Sequence, residues 1–117
     1  MQVQAIMKNV RMSAQKMREV VRQIQGLPAE QAAAILQVVP RKGARFVAKT
    51  LKSAMANAED LKTHKKEYNA MRTDRLVIKE AVAQTASTLR RFTPKARGSA
   101  GPILKRNCHI KIILSDE

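Results

Sequence analysis

Leu89 to Lys111 reads LRRFTPKARGSAGPILKRNCHIK, and the rest of the chain is best understood from this stretch outward. It holds the basic residues Arg90, Arg91, Lys95, Arg97, Lys105, Arg106 and Lys111, and no acid. The acid-free run is longer still, from Ala81 to Ser115. Turn formers sit in the middle (Pro94, Gly98, Gly101, Pro102), and the residues on either side favour extended chain. That pattern predicts a β-hairpin arm loaded with positive charge. Neighbouring residues of a strand point to opposite faces. The adjacent pairs Arg90–Arg91 and Lys105–Arg106 would therefore charge both faces of the arm. Such an arm cannot lie on an apolar core; it is solvated or surrounded by anion. The loop from Thr88 to Gly101 reads as too long for a tight turn, and loops of that length commonly carry function.

The composition agrees with a polyanionic partner. Twenty-three Lys and Arg face nine acids, for a net charge of +14 in 117 residues. A field of this size attracts polyanions and opposes self-association. Nucleic acid is the leading partner. An anionic membrane is the alternative, but no apolar run is long enough to span or anchor. The opening residues, MQVQAIMKNV, lack the apolar stretch of a signal peptide, and a reducing, cytosol-like compartment fits the single Cys108. One cysteine excludes an internal disulfide. The length fits one domain, residues 1–117, with a body of about 1–84 and 105–117 and an arm of about 85–104. Aromatic residues are only Tyr68, Phe46 and Phe92, so the core must be aliphatic.

Hydrophobic periodicity supplies the body. Val3, Ala5 and Met7 alternate in a short strand from Gln2 to Lys8. Ser13 stands at a helix N-cap, and Ala14, Met17, Val20, Val21 and Ile24 follow at helical spacing until Gly26. Pro28 suits the first turn of a second helix whose apolar side is Ala32, Ala33, Ile35, Leu36 and Val39, ended by Pro40. A third helix is expected over roughly Lys42 to Lys62, and Thr63 to Thr73 reads as loop. Strand pattern returns over Arg75 to Thr85, with Leu76, Ile78 and Val82 on one face and Val77, Lys79, Ala81 and Ala83 on the other. The last strand, near Ile103 to Leu114, sets Cys108, Ile110, Ile112 and Leu114 on one face. The predicted fold class is α+β: three helices packed on a small antiparallel three-stranded sheet, with the last two strands extended into a long β-hairpin arm.

Basic residues also cluster on the body. Arg11, Lys16 and Arg18 surround the start of the first helix, where N–H groups favour phosphate. Arg41, Lys42 and Arg45 sit at the start of the third, against its dipole. Catalytic and metal readings find no support: His64 and His109 lack partners at ligand spacing, and Ser13 is better explained as a cap. No cofactor is expected and no enzyme. Cys108 reads as a small buried side chain, and His109 as meeting phosphate or a backbone group.

Several separated motifs resemble the large-subunit ribosomal protein L-twenty-two family of bacterial type. They are Thr88-Leu89-Arg90-Arg91-Phe92, Pro94-Lys95-Ala96-Arg97-Gly98, Lys105-Arg106 with His109-Ile110, and Lys79-Glu80-Ala81 before the arm. Val10-Arg11-Met12-Ser13 with Lys16 and Arg18, and AMANAE over Ala54 to Glu59, complete the likeness. The resemblance implies an α+β body on the outside of the large subunit and a hairpin threaded through ribosomal RNA, its tip on the wall of the peptide exit tunnel. RNA contacts would be Arg11, Ser13, Lys16, Arg18, Arg90, Arg91, Lys95, Arg97, Lys105 and Arg106, to which the reading of the basic clusters above adds Lys42 and His109. Phe92, Pro94, Gly98 and Ser99 would form the tunnel tip. Partners would be ribosomal RNA, neighbouring ribosomal proteins and, at the tip, the nascent peptide, with the chain a monomer within a cytoplasmic ribosome. The sequence departs from the family pattern at Ala14, Ser99, Gly101-Pro102 and Asn107-Cys108. A competing reading is an architectural DNA-binding protein whose arm enters the minor groove and wedges Pro94 or Phe92 between bases. A third is a membrane-active cationic protein.

Overall fold

The computed structural model describes residues 1–116; Glu117, the last residue of the expected domain, lies outside them. Within these residues the order is β1 (Gln2–Val10), α1 (Ala14–Ile24), α2 (Ala29–Val38), α3 (Lys42–His64), β2 (Val77–Thr85), β3 (Leu89–Pro94), β4 (Ala100–Lys105) and β5 (Cys108–Ser115). Strands β1, β5 and β2 form one antiparallel sheet with β5 in the centre, and β3 and β4 form a second of two strands. The α+β architecture is as the periodicity predicts.

β5 takes the central place because both its ladders are filled and its alternation is clean. Cys108, Ile110, Ile112 and Leu114 are fully buried beneath the helices, while His109, Lys111 and Ile113 are half-buried on the other face. Helix α1 begins at Ser13, whose Oγ accepts from the Lys16 N–H at 3.4 Å. It buries Ala14, Met17, Val20, Val21 and Ile24. Gly26 ends it at φ +82, the left-handed conformation that a β-carbon disfavours. From there the Gly26 N–H donates to Ile78 O, the Ile78 N–H to Leu27 O and the Ala29 N–H to Leu76 O. The turn between α1 and α2 is thus pinned along the start of β2. Pro28 stands one place before the first helical residue of α2, and Ala29, Ala32 and Leu36 are its buried side. Helix α3 spans 23 residues, about 35 Å at ~1.5 Å per residue. Gly43 lets its first turn approach α1, since a β-carbon there would stand 2.9 Å from the Met17 sulfur.

Three expectations need correction. The face assignment along β2 fails because the register slips between Ile78 and Glu80: one step on β5 is matched by two on β2. This bulge turns the strand over, so Ile78, Ala81 and Ala83 share the buried face and the charged pair Lys79–Glu80 is left outside. Helix α3 runs two residues past Lys62, with the Thr63 hydroxyl bonding back to Glu59 O at 2.9 Å; the following segment is partly ordered by single 3₁₀ turns at Lys66–Tyr68 and Thr73–Arg75. The extended hairpin arm is present as expected and has a ladder of its own: the body pairing stops after Thr85 and that of the arm starts at Leu89, and β4 ends at Lys105 before β5 begins at Cys108. The loop is also shorter than read: pairing persists from Leu89↔Lys105 to Pro94↔Ala100, leaving Lys95–Ser99 as the connection.

The buried core collects residues from every body element and has none between Ala83 and Cys108. The hairpin therefore stands clear of the body. The molecule measures 67 × 28 × 16 Å, and its radius of gyration is 17.7 Å. A compact chain of this length would give about 13 Å.

Candidate nucleic-acid interface

The arm is fixed at its base and at its tip by hydrogen bonds to backbone carbonyls. At the base the Ala86 N–H donates to Asn107 O at 3.1 Å, and Asn107 Nδ2 to Ser87 O at 3.0 Å. At the tip the Lys95 N–H donates to Ser99 O at 2.6 Å, and both the Ser99 N–H and its hydroxyl donate to Ala96 O. Arg97 and Gly98 take left-handed conformations there, φ 59 and 73. The Lys95 methylenes lie flat over Gly101, which is buried beneath them; a β-carbon at 101 would collide with this flexible chain.

Directly paired residues share a face of a two-stranded sheet. One face of the arm therefore carries Leu89, Arg91 and Thr93 with Lys105, Ile103 and Gly101. The other carries Arg90, Phe92 and Pro94 with Leu104, Pro102 and Ala100. Both faces are charged, as the adjacent arginines predict, but unequally. Arg106 falls outside β4, so the alternation argument stops at Lys105. The backbone of Arg106 turns instead toward the body, where its carbonyl accepts from Arg11 Nη1 at 2.9 Å. Among the described residues no carboxylate lies within ion-pair distance of an arm cation.

This turn joins two patches that are far apart in sequence. An open recess of about 680 Å³ is lined by Arg11, Met12, Ser13, Gln15, Lys16, Lys42, Leu104 and Arg106. Beside it, a second of about 360 Å³ is lined by Ser13, Ala14, Gln15, Arg18, Thr85, Arg106 and Asn107. Arg106 is common to both, as are Ser13 and Gln15 at the start of α1. The structure thus gathers Arg11, Ser13, Lys16, Arg18, Lys42 and Arg106 at the root of the arm, with α1 presenting its N-terminal N–H groups to the same place. Such a site suits a phosphate: guanidinium forks and an ammonium supply charge, and the helix end supplies oriented dipoles.

Individual residues differ in how free they are. Arg18 donates Nε to Ala83 O at 3.1 Å in a partly buried contact. Its charge also offsets in part the burial that pushes the Cys108 thiol up from its ordinary range. Arg41 pairs with Glu19 at 3.4 Å, which leaves Lys42 as the cation of that helix start that faces the recess. His109 stands away from both recesses. Its Nδ1 accepts the Asn9 N–H at 3.0 Å, where β1 bulges and Asn9 takes φ 56, so the neutral ring carries its proton on Nε2. Phe92 and Pro94 belong to β3, whereas Gly98 and Ser99 belong to the connection. Sequence reading missed Leu104, Gln15 and Asn107. An apolar residue between basic ones gave Leu104 no signal of its own. Asn107 acts through its backbone and amide, and its buried Oδ1 has no hydrogen-bond partner among the described residues.

Among the described residues no group of His, Cys, Asp and Glu is placed to hold a metal, and no helix is long and apolar enough to cross a membrane. The family model described as ribosomal protein L22p/L17e matches residues 5–115. Among curated proteins, the large ribosomal subunit protein uL22 of Akkermansia muciniphila is 48% identical over 118 residues, covering 100% of this chain and 98% of the relative. That of Opitutus terrae is 46% identical, covering 99% and 96%, and that of Finegoldia magna 40% identical, covering 99% and 97%.

Proposed function

This chain belongs to the ribosomal protein L22p/L17e family, and from that premise we propose that it binds large-subunit ribosomal RNA through the arm and the basic recess at its root. Membership makes it a structural constituent of the large subunit of the cytoplasmic ribosome. The observation that carries the RNA reading is the convergence of Arg11, Lys16, Lys42 and Arg106 on one recess, from which projects an arm that has no acid partner among the described residues. Arg90, Arg91, Lys95, Arg97 and Lys105 extend the same charge outward. Enclosure by RNA suits an arm that is solvated on both faces and lends nothing to the core. Arg18 and Ser13 contribute as the framework of the recess, and His109 offers Nε2–H on the outer sheet face. Phe92, Pro94, Gly98 and Ser99 contribute to the tunnel wall, next to the nascent peptide. Neighbouring large-subunit proteins complete the partners of a chain that acts as a monomer within the ribosome and catalyses nothing.

Replacing Arg90, Arg91, Lys105 and Arg106 together by Ala tests this. Affinity for ribosomal RNA should fall, and the slope of log K against log salt should flatten by up to roughly 0.7–0.9 for each lost phosphate contact. Unchanged affinity and slope would remove the arm as the binding element.

A further inference from the structure

The two faces of the arm differ in chemistry, and one of them is mostly apolar. Phe92 is 76% exposed and Leu104 51%, and neither belongs to the buried core or to the hydrophobic residues packed against it. Pro102 lies directly across the ladder from Phe92, and Leu104 is the next residue along β4 on that face, within diagonal reach. Pro94 and Ala100 continue the strip to the tip. Arg90 is the one strand cation on this face. The opposite face carries Arg91 and Lys105 beside Leu89 and Ile103, which are less exposed than Phe92 and Leu104, with Lys95 folded over Gly101. At its root the apolar strip does not end in solvent. Leu104 is itself a wall of the recess that gathers Arg11, Lys16, Lys42 and Arg106.

On the RNA-binding reading above, we infer that the Phe92 face is a stacking platform for unpaired nucleobases, along which one RNA strand runs outward from the basic recess. A single strand offers both of the surfaces this track demands. Its phosphates match the recess and Arg90, and its unstacked bases match the strip of Phe92, Pro102 and Leu104. A duplex keeps its base faces stacked inside and shows only backbone, sugars and base edges, so it offers no base face to the strip. A second copy of this chain would bring another +14 against the first. The arm then reads its partner in two ways: charge on the Arg91–Lys105 face follows the sugar-phosphate backbone, and the Phe92 face selects strand that is not base-paired.

The test measures binding of the full-length chain to a short oligo(rA) and to the same oligonucleotide with abasic residues in its middle, each over a salt series. The variants are F92A, F92Y and K105A. Phe92 lies outside the core, so the F92A body folds as the parent does, which circular dichroism verifies. F92A should weaken oligo(rA) binding on the order of tenfold, leave the salt slope unchanged, and have little effect on the abasic strand. F92Y should bind like the parent, and K105A should lower the slope for both strands. Equal losses by F92A on the two strands, or no loss on oligo(rA), would sink the stacking platform while leaving RNA binding intact. A parent chain that binds neither strand in a salt-dependent way would overturn the RNA reading itself. Sedimentation showing a dimer that F92A dissolves would assign the strip to a second copy and overturn the inference by another route.

Discussion

Arg18 and Lys16 stand two positions apart in the first turns of α1, yet they do different work. Arg18, itself exposed, gives Nε to the carbonyl of the buried Ala83 on β2, an edge strand, in a partly buried contact. Lys16 is exposed on the wall of the recess. R18A should therefore destabilise the body by about 1–2 kcal/mol in urea denaturation, since it strands a carbonyl that a charged donor now satisfies. K16A should change stability by less than about 0.5 kcal/mol and instead reduce the salt slope of RNA binding. The sequence marks both as basic residues near a helix start and cannot separate them, because the partner of Arg18 lies 65 positions away. Ser13 is the opposite case. Its capping role needs only local geometry, and the Lys16 N–H confirms it. His109 was legible as a residue meeting the backbone, but not the bulge at Asn9 that supplies the N–H.

At the level of elements, the helices and the inward face of β5 follow from periodicity because each is decided within a few residues. The bulge in β2 does not. One extra residue reverses the side-chain parity of a strand, and only the pairing with β5 reveals where it lies. The junction near the chain ends is equally non-local. Asp116 accepts from the N-terminal ammonium at 3.1 Å and from the Arg72 N–H at 3.4 Å, tying the start of β1 to the segment that leads into β2. The ammonium bond, foremost, holds the Asp116 carboxyl below its ordinary range. A depressed native value means the clamp contributes fully above the ordinary carboxylate range, and the contribution is lost as pH falls through that lower value. The stability gap between the parent and D116N should accordingly be constant from neutral to mildly acidic pH and close only in strong acid, as read from denaturation curves at each pH. The β3–β4 ladder presents a further case. A lone two-stranded hairpin is marginal in water, so its amides should exchange rapidly in the free chain, while those of β5 are protected. Binding of RNA should slow the arm amides selectively.

Taken whole, the molecule consists of a closed body and a projecting arm, joined where Ala86 and Ser87 bond to Asn107. The basic arm was legible from composition and turn residues alone. Its continuity with the body patch was not, because that depends on Arg106 leaving the strand and on Arg11 reaching the Arg106 carbonyl. Since this junction already brings residues 87 and 107 together, replacing residues 89–105 by a short glycine-containing turn should leave the urea midpoint of the body nearly unchanged. The same change should sharply weaken binding to ribosomal RNA. The absence of core residues between Ala83 and Cys108 has a consequence for how the sequence can drift. Most substitutions in a protein are judged first by whether the fold survives them, and chains near the stability threshold lose abundance before they lose activity. Changes in this hairpin escape that filter. A lineage can rewrite the tip without diminishing the supply of folded protein, so the arm's sequence answers only to the surfaces it meets.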